Sequence, residues 1–234
     1  MYVANHFRIP EERVTQMLGE VNVGNLITMH ESGMQATMVP FYMEERDGKR
    51  FLVTHLVRNN PQSREPIVGN GLVILDVVDE YVSPAWYATN DAMPNVPTWD
   101  YITIHARGPV HVDPAPAAAL NVAQALTERM GESWSTDMVG QEKLDKMARA
   151  IVAVELEIED LEPKAKMSQN RHPDDIRSLI AHFETVGPHE FVNYLREVSL
   201  PYAEQRFDMI TDLKSSGASQ WDLRPAPPAP DSRD

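Results

Sequence analysis

Apolar residues recur along this chain in two rhythms, about every 3.6 residues and every second residue, and the switches between them mark its elements. Pro10 followed by Val14, Met17 and Leu18 predicts a short amphipathic helix over about 10–20. The rhythm of two then takes over. Val21 to His30 and Met34 to Met43 flank Glu31-Ser32-Gly33, and Asp47-Gly48 precedes Phe51 to Val57, so two hairpins are expected. Phe51, Val53, His55 and Val57 share one face of that third strand. Leu72 to Val78 is nearly continuously apolar, as in a strand covered on both sides. Tyr101 to Arg107 alternates, and so does Ala150 to Glu159, which puts Val152, Val154, Leu156 and Ile158 inward and Glu155, Glu157 and Glu159 outward. Between those two strands lies a helical insertion at about 115–149, formed by Pro116 to Met130 and Gln141 to Arg149.

After Pro173 the spacing Ile176, Leu179, Ile180, Phe183 predicts another amphipathic helix, and His189 to Leu213 predicts one or two more, broken near Pro201. Six or so strands with helices at their ends indicate a mainly β, α+β fold with a β-barrel core. The expected division is a barrel domain over 1–185, a helical extension over 186–214 and a tail over 215–234. That tail is Ser-, Pro- and charge-rich and too polar to fold alone, with Trp221 as its anchor.

Charge and composition narrow the function. With 21 Lys and Arg against 35 Asp and Glu, the formal charge of −14 disfavours a phosphate backbone or an anionic membrane as partner. No run reaches the roughly 18 apolar residues of a membrane span and the N-terminus lacks a signal-peptide layout, so a cytoplasmic location is expected. The chain has no cysteine, which leaves histidine, tyrosine, lysine, methionine or a carboxylate to hold any iron.

Thr54 to Gln62, T-H-L-V-R-N-N-P-Q, concentrates polar chemistry at a strand end. His55 is either a core histidine bonded to a backbone carbonyl, or an axial ligand for haem, or a hydrogen-bond donor to a flavin. The polar groups that follow, Asn60 among them, must be satisfied in turns or aimed at a ligand. The planar fork of Arg58 suits a phosphate, a haem propionate or a substrate carboxylate. Two proline-bearing loops carry Tyr81, Ser83, Trp86 and Tyr87, and then Thr98, Trp99, Asp100 and Tyr101. They are hydrophobic plugs for the barrel or walls for a planar cofactor. Lys164 to Arg171, with Lys166 and Gln169, is a polar loop before the next helix or an anion site in an acidic protein. His105, His111, His172, His182 and His189 lack metal-ligand spacing, and Gly69-Asn70-Gly71 reads as a turn.

Taken with M-Y-V-A-N-H-F-R at 1–8, the motifs T-H-L-V-R-N-N-P-Q, Y-V-S-P-A-W-Y at 81–87, V-P-T-W-D-Y at 96–101 and K-M-S-Q-N-R at 166–171 resemble the PaiB family from Met1 to about Phe183. The resemblance implies a split β-barrel of the FMN-binding and pyridoxamine-phosphate-oxidase type, and a homodimer with the cofactor between subunits. Family members are FMN-binding transcriptional regulators. Where the family carries A-T-H-L-P this chain has Ala36-Thr37-Met38-Val39-Pro40; N-P-Q-W has become Asn60-Pro61-Gln62-Ser63, and W-N-Y has become Trp99-Asp100-Tyr101. These departures point to a PaiB-like branch that uses haem, the piperazate synthases, which cyclise N5-hydroxy-L-ornithine to L-piperazic acid. The resemblance then implies haem b on His55, with Arg58, Lys166 and Arg171 for the carboxylate and propionates. Asp100, Tyr87 or Tyr101 would take or orient the α-amine proton, and Asn60, Ser83, Trp86, Thr98, Trp99 and Gln169 would complete the cofactor site. In the FMN alternative, Ser83, Thr98, Lys166 and Arg58 hold the phosphate while Trp86 and Trp99 lie against the ring. A haem-degrading split-barrel enzyme is the remaining alternative. The expected partners are an amino-acid substrate and a second copy of the chain.

Overall fold

The computed structural model describes residues 1–131 and 136–215. They form two compact units, one made of residues 1–81 and 98–167, the other of residues 82–97 and those from 168 onward. The larger unit opens with α1 (Glu11–Gly19), which buries Val14 and Leu18. Its strands are β1 (Asn22–His30), β2 (Gly33–Arg46), β3 (Lys49–Val57), β4 (Gly71–Val82), β5 (Thr98–Gly108), β6 (Val110–Asp113), β7 (Ile151–Glu157) and β8 (Asp160–Lys166). The single turn of α2 (Pro61–Arg64) follows β3, while α3 (Pro116–Arg129) and α4 (Gln141–Ala148) form the helical insertion.

The strands make one sheet in the order β6-β7-β3-β2-β1-β4-β5-β8. Asp47 and Gly48, with φ of 53° and 73°, supply the two left-handed residues that a tight hairpin turn between β2 and β3 needs. The sheet curls, because β5 reaches β7 although the two lie far apart in the strand order: Glu157 N donates to Pro109 O at 3.0 Å and Glu159 N to Arg107 O at 2.9 Å. Gly108 permits that approach, since a Cβ there would sit 1.8 Å from Glu157 O.

The two faces of β3 go to different surroundings. Leu52, Thr54 and Leu56 pair with Leu156, Val154 and Val152 and are fully buried inside the curl. Val53 and His55 pair with Glu155 and Ala153 on the opposite face. The apolar face of Phe51, Val53 and His55 is therefore not the one inside the curl, and although it is shared with the outward Glu155 of β7 it is not bare solvent. Helix α3 lies over it, and Val122 and Leu126 pack against Tyr42, Phe51, Val53 and Ala153.

Eight strands stand where the alternation gives six. The additions, β6 and β8, are the two edges of the sheet, where short, charged or proline-bearing strands are tolerated. Lys164 and Lys166, read from sequence as part of a polar segment leaving the last strand, belong to β8 together with Pro163. In the second unit α5 (Pro173–Val186) packs Ile176, Leu179 and Phe183 inward, and α6 (His189–Tyr194) adds Phe191 against Phe183 with ring centroids 4.6 Å apart. The chain does not break at Pro201. A wide π-helical turn, Leu195–Ser199, comes immediately before α7 (Leu200–Ser215) and resets the hydrogen-bond register where the proline withholds its donor. Of the expected tail over 215–234, Ser215 is the last residue of α7, and the rest, with Trp221, lies outside the described residues. No helix among the described residues is long and apolar enough to cross a membrane.

Candidate functional site

His55 sits near the end of β3 opposite Ala153. Its Nδ1 is buried and has no hydrogen-bond partner among the described residues. Burial also pushes the imidazole below the usual histidine range, so near pH 7 it is neutral and has a lone pair to offer. A buried nitrogen left unpaired costs about 1–3 kcal/mol, a penalty that a bound group would remove.

The next polar residues are spent internally. Arg58 donates Nε to Arg149 O at 2.7 Å and Nη2 to Pro114 O at 2.8 Å and Ile151 O at 3.0 Å, tying the end of β3 to both ends of the helical insertion. Asn60 caps α2 by accepting from Gln62 N at 3.0 Å and donates to Thr37 Oγ1, also at 3.0 Å. Thr37 donates to Gln62 Oε1, and Gln62 Nε2 donates to Thr28 Oγ1 at 2.8 Å and Leu26 O at 3.1 Å. The chain ends at His30, whose Nε2 lies 2.7 Å from Thr28 Oγ1 and whose Nδ1 lies 3.0 Å from Pro66 O. Because a carbonyl only accepts, Nδ1 carries the proton and Nε2 accepts from Thr28. This series of donors, all pointing one way, locks α2 onto the β1–β2 hairpin.

At the other end of the sheet, β5 and β8 carry five expected site residues, Thr98, Trp99, Asp100, Tyr101 and Lys166. Lys166 Nζ donates to Thr98 Oγ1 at 2.5 Å and to Trp99 O, and pairs with the buried carboxylate of Asp100 at 3.2 Å. The indole N–H of Trp99 donates to Asp79 at 2.8 Å. Tyr101 stands opposite Lys166 in register and has Lys164 Nζ 5.3 Å from its ring centroid. Strands β3 and β8 share no neighbour in the sheet order, so pairing does not bring His55 beside Lys166.

The remaining expected residues belong to the second unit. Arg171 lies 4.7 Å from the Tyr87 ring centroid and donates to Asn95. Trp86 stacks on His182 at 4.0 Å. Ser83 Oγ accepts from Ala85 N at 3.3 Å as a local cap, and Gln169 is buried. Asp175, which the sequence did not single out, is buried with its carboxylate held by the amide and hydroxyl of Thr89, at 2.8 and 3.0 Å. His30, Thr37 and Gln62 were also missed as a group; the sequence signal for them was a polar residue at three strand or turn positions that alternation places inside. Among the described residues no group of three or more histidines and carboxylates is arranged to hold a metal ion.

Comparison with known proteins places these features in a family. The family described as "Putative FMN-binding domain" matches residues 1–160, well over half of the chain. The Bacillus subtilis (strain 168) protein named "Protease synthase and sporulation protein PAI 2" is 25% identical over 187 residues, covering 77% of this chain and 87% of that protein. The Saccharomyces cerevisiae protein YKL070W is 38% identical over 79 residues, which span 32% of this chain and 47% of that protein. Among solved structures, the flavocytochrome Anf3 from Azotobacter vinelandii superposes with a TM-score of 0.51 at 13% identity, covering 70% of this chain and 72% of that one, a likeness of fold. With its curled antiparallel sheet decorated by helices, the chain belongs to the FMN-binding domain family and has a split-barrel fold.

Proposed function

We propose that the chain is a haem-dependent cyclase that converts N5-hydroxy-L-ornithine to L-piperazic acid and water, working in the cytoplasm as a homodimer. The observation that carries this reading is the buried, unpartnered Nδ1 of His55 on a neutral imidazole. A chain without cysteine has few alternatives for an iron ligand, and this histidine fits that role. Haem b would be held by His55, and when bound it supplies a Lewis acid toward the hydroxylamine oxygen.

In this reaction the N–N bond forms between the α-amine nitrogen and N5, the N–O bond breaks, and the hydroxyl leaves with the α-amine proton as water. The protein must hold both nitrogens of one flexible chain in near-attack geometry. It must also accept or orient the amine proton. That role is assigned to Asp100, which is buried and paired with Lys166, or to the phenol of Tyr101 one residue later on β5.

The homodimer is proposed on two grounds. Val23, Met34, Met38 and Val57 are each more than half exposed on neighbouring strands of one sheet face, a surface that a second copy would cover. The β3 and β5–β8 groups also lie in separate parts of one sheet, so a partner copy would complete a site around His55. The acidic surface favours a small-molecule substrate over nucleic acid or a membrane.

A second reading, an FMN-binding protein of the regulator type, has its own observation in its favour. The ammonium of Lys166 beside the Thr98 hydroxyl, on a strand end that also carries Trp99, is a combination suited to a phosphate and a planar ring. Incubating the purified protein with N5-hydroxy-L-ornithine tests the cyclase reading. Loss of one water by mass with formation of the cyclic hydrazine supports it, and an unchanged substrate with haem fully bound overturns it.

A further inference from the structure

A cavity over the sheet has no part in that chemistry. It lies between α3 and strands β2, β3, β6 and β7 in the larger unit and has a volume of about 530 Å³. Its floor is apolar: Val53 from β3, Ala153 from β7 and Val122 from α3, all buried. Val53 precedes His55 by two positions on β3 and Ala153 pairs with it, so the cavity lies on the same face of the sheet as that imidazole, which is not itself part of the lining.

Its rim is acidic. Glu44, Asp113 and Glu155 face one lining cation, Arg46, which is paired with Glu155 and lies 3.7 Å from Glu44. Three carboxylates against one guanidinium leave a formal charge of −2 on the lining. A second cation, Arg129, sits over the Tyr42 ring at 4.2 Å from its centroid, and counting it still leaves the surroundings negative. Tyr42 registers the same field: burial first, and then the Glu44 charge and hydrogen bond, push its phenol up to about 12, so it stays a neutral donor at the cavity wall. The half-buried Glu44 and Glu155 are screened less than surface carboxylates would be.

An apolar floor under an acidic rim suits a ligand with an ammonium head and a short aliphatic body. An anion meets net negative charge there, and a neutral aliphatic molecule leaves the rim without a counter-charge. We propose that this cavity is a binding site for a small primary amine, its ammonium at Glu44 and Glu155 and its carbon chain over Val53 and Ala153. The site stands on the cavity alone and holds whether haem or a flavin binds at His55.

The test is calorimetric titration of the full chain with n-pentylamine, pentan-1-ol and pentanoate, together with amide NMR shifts of α3. The amine should bind at least tenfold more tightly than the alcohol, pentanoate should not bind, and the shifts should centre on Val122 and Ala125. The double variant Glu44→Gln with Glu155→Gln should weaken the amine at least tenfold and leave the alcohol unchanged. Ala125→Phe, which fills the cavity from a partly exposed helix position, should abolish binding while the far-UV circular dichroism stays native. Binding of the amine no better than the alcohol, no binding at all, or binding indifferent to the cavity-filling and glutamine variants would each overturn the proposal.

Discussion

Two imidazoles in the same sheet, His30 at the end of β1 and His55 near the end of β3, have opposite situations. His30 is almost wholly buried, 3% exposed, and both ring nitrogens are matched, one to the Thr28 hydroxyl and one to the Pro66 carbonyl. That is what a histidine kept for structure looks like. His55 has a buried Nδ1 with no partner among the described residues, an arrangement that folding alone gives no reason to keep. The contrast separates a satisfied core histidine from one with an unpartnered ring nitrogen without appeal to sequence similarity. It also divides the T-H-L-V-R-N-N-P-Q stretch in two: His55 is left open, whereas Arg58, Asn60 and Gln62 are consumed by backbone carbonyls and threonines.

The contrast can be broken most sharply by replacing each histidine with leucine. His55→Leu should lower haem affinity at least a hundredfold in an absorbance titration, while the cofactor-free protein melts at or above the wild-type temperature, because a buried unpaired nitrogen has been removed. If the variant binds haem normally, the ligand assignment fails. His30→Leu and Gln62→Leu should do the reverse. Each leaves buried hydroxyls or carbonyls without partners and should cost about 2–5 kcal/mol in denaturant unfolding, with haem affinity of the folded fraction retained.

A smaller effect is expected at Arg58. Its three bonds go to carbonyls at 114, 149 and 151, so Arg58→Lys keeps the charge but loses the fork geometry and should cost about 1–3 kcal/mol with little change in cofactor affinity. A large affinity loss at unchanged stability would make Arg58 an anion clamp after all. The smallest effect is in the pH dependence. The pKa of His55 is lowered by burial, so on acidification the unfolded chain takes up the proton first. Stability is therefore full above about 6.5 and falls as pH drops from there through the lower folded-state value. His105, also lowered chiefly by burial, adds a contribution of the same sign. His55→Leu should make the fall in cofactor-free stability between pH 7 and 5 shallower, and an unchanged slope would mean that the imidazole is not buried neutral.

The sequence shows the strands whose buried faces alternate, and shows them well: the hairpin of β1 and β2, the turn at Asp47-Gly48 and the inward Val152, Val154 and Leu156 of β7 all stand as the pattern predicts. It hides β6 and β8, because an edge strand such as Asp160–Lys166 fully buries only Ala165 and so carries no apolar alternation. The helix cover over Glu155 and Ala153 was illegible for a related reason, since the outward side of a strand carries no mark of what later lies on it. Within the candidate site, Lys166 meets Thr98 and Asp100, but Ser83 and Arg58, expected beside Thr98 and Lys166 in the FMN alternative, are bonded elsewhere. The partners of Arg58 were invisible, being backbone carbonyls 56, 91 and 93 positions away with no side-chain signature. The orphaned nitrogen of His55 is likewise a property of packing, and only coordinates distinguish it from the satisfied nitrogens of His30.

The most direct measurement is the absorption spectrum of the purified protein after it has been offered haem and FMN together in equal amounts and passed through a desalting column. The account predicts a Soret band that is lost in a folded His55→Leu protein. A retained flavin spectrum with no Soret band would contradict it.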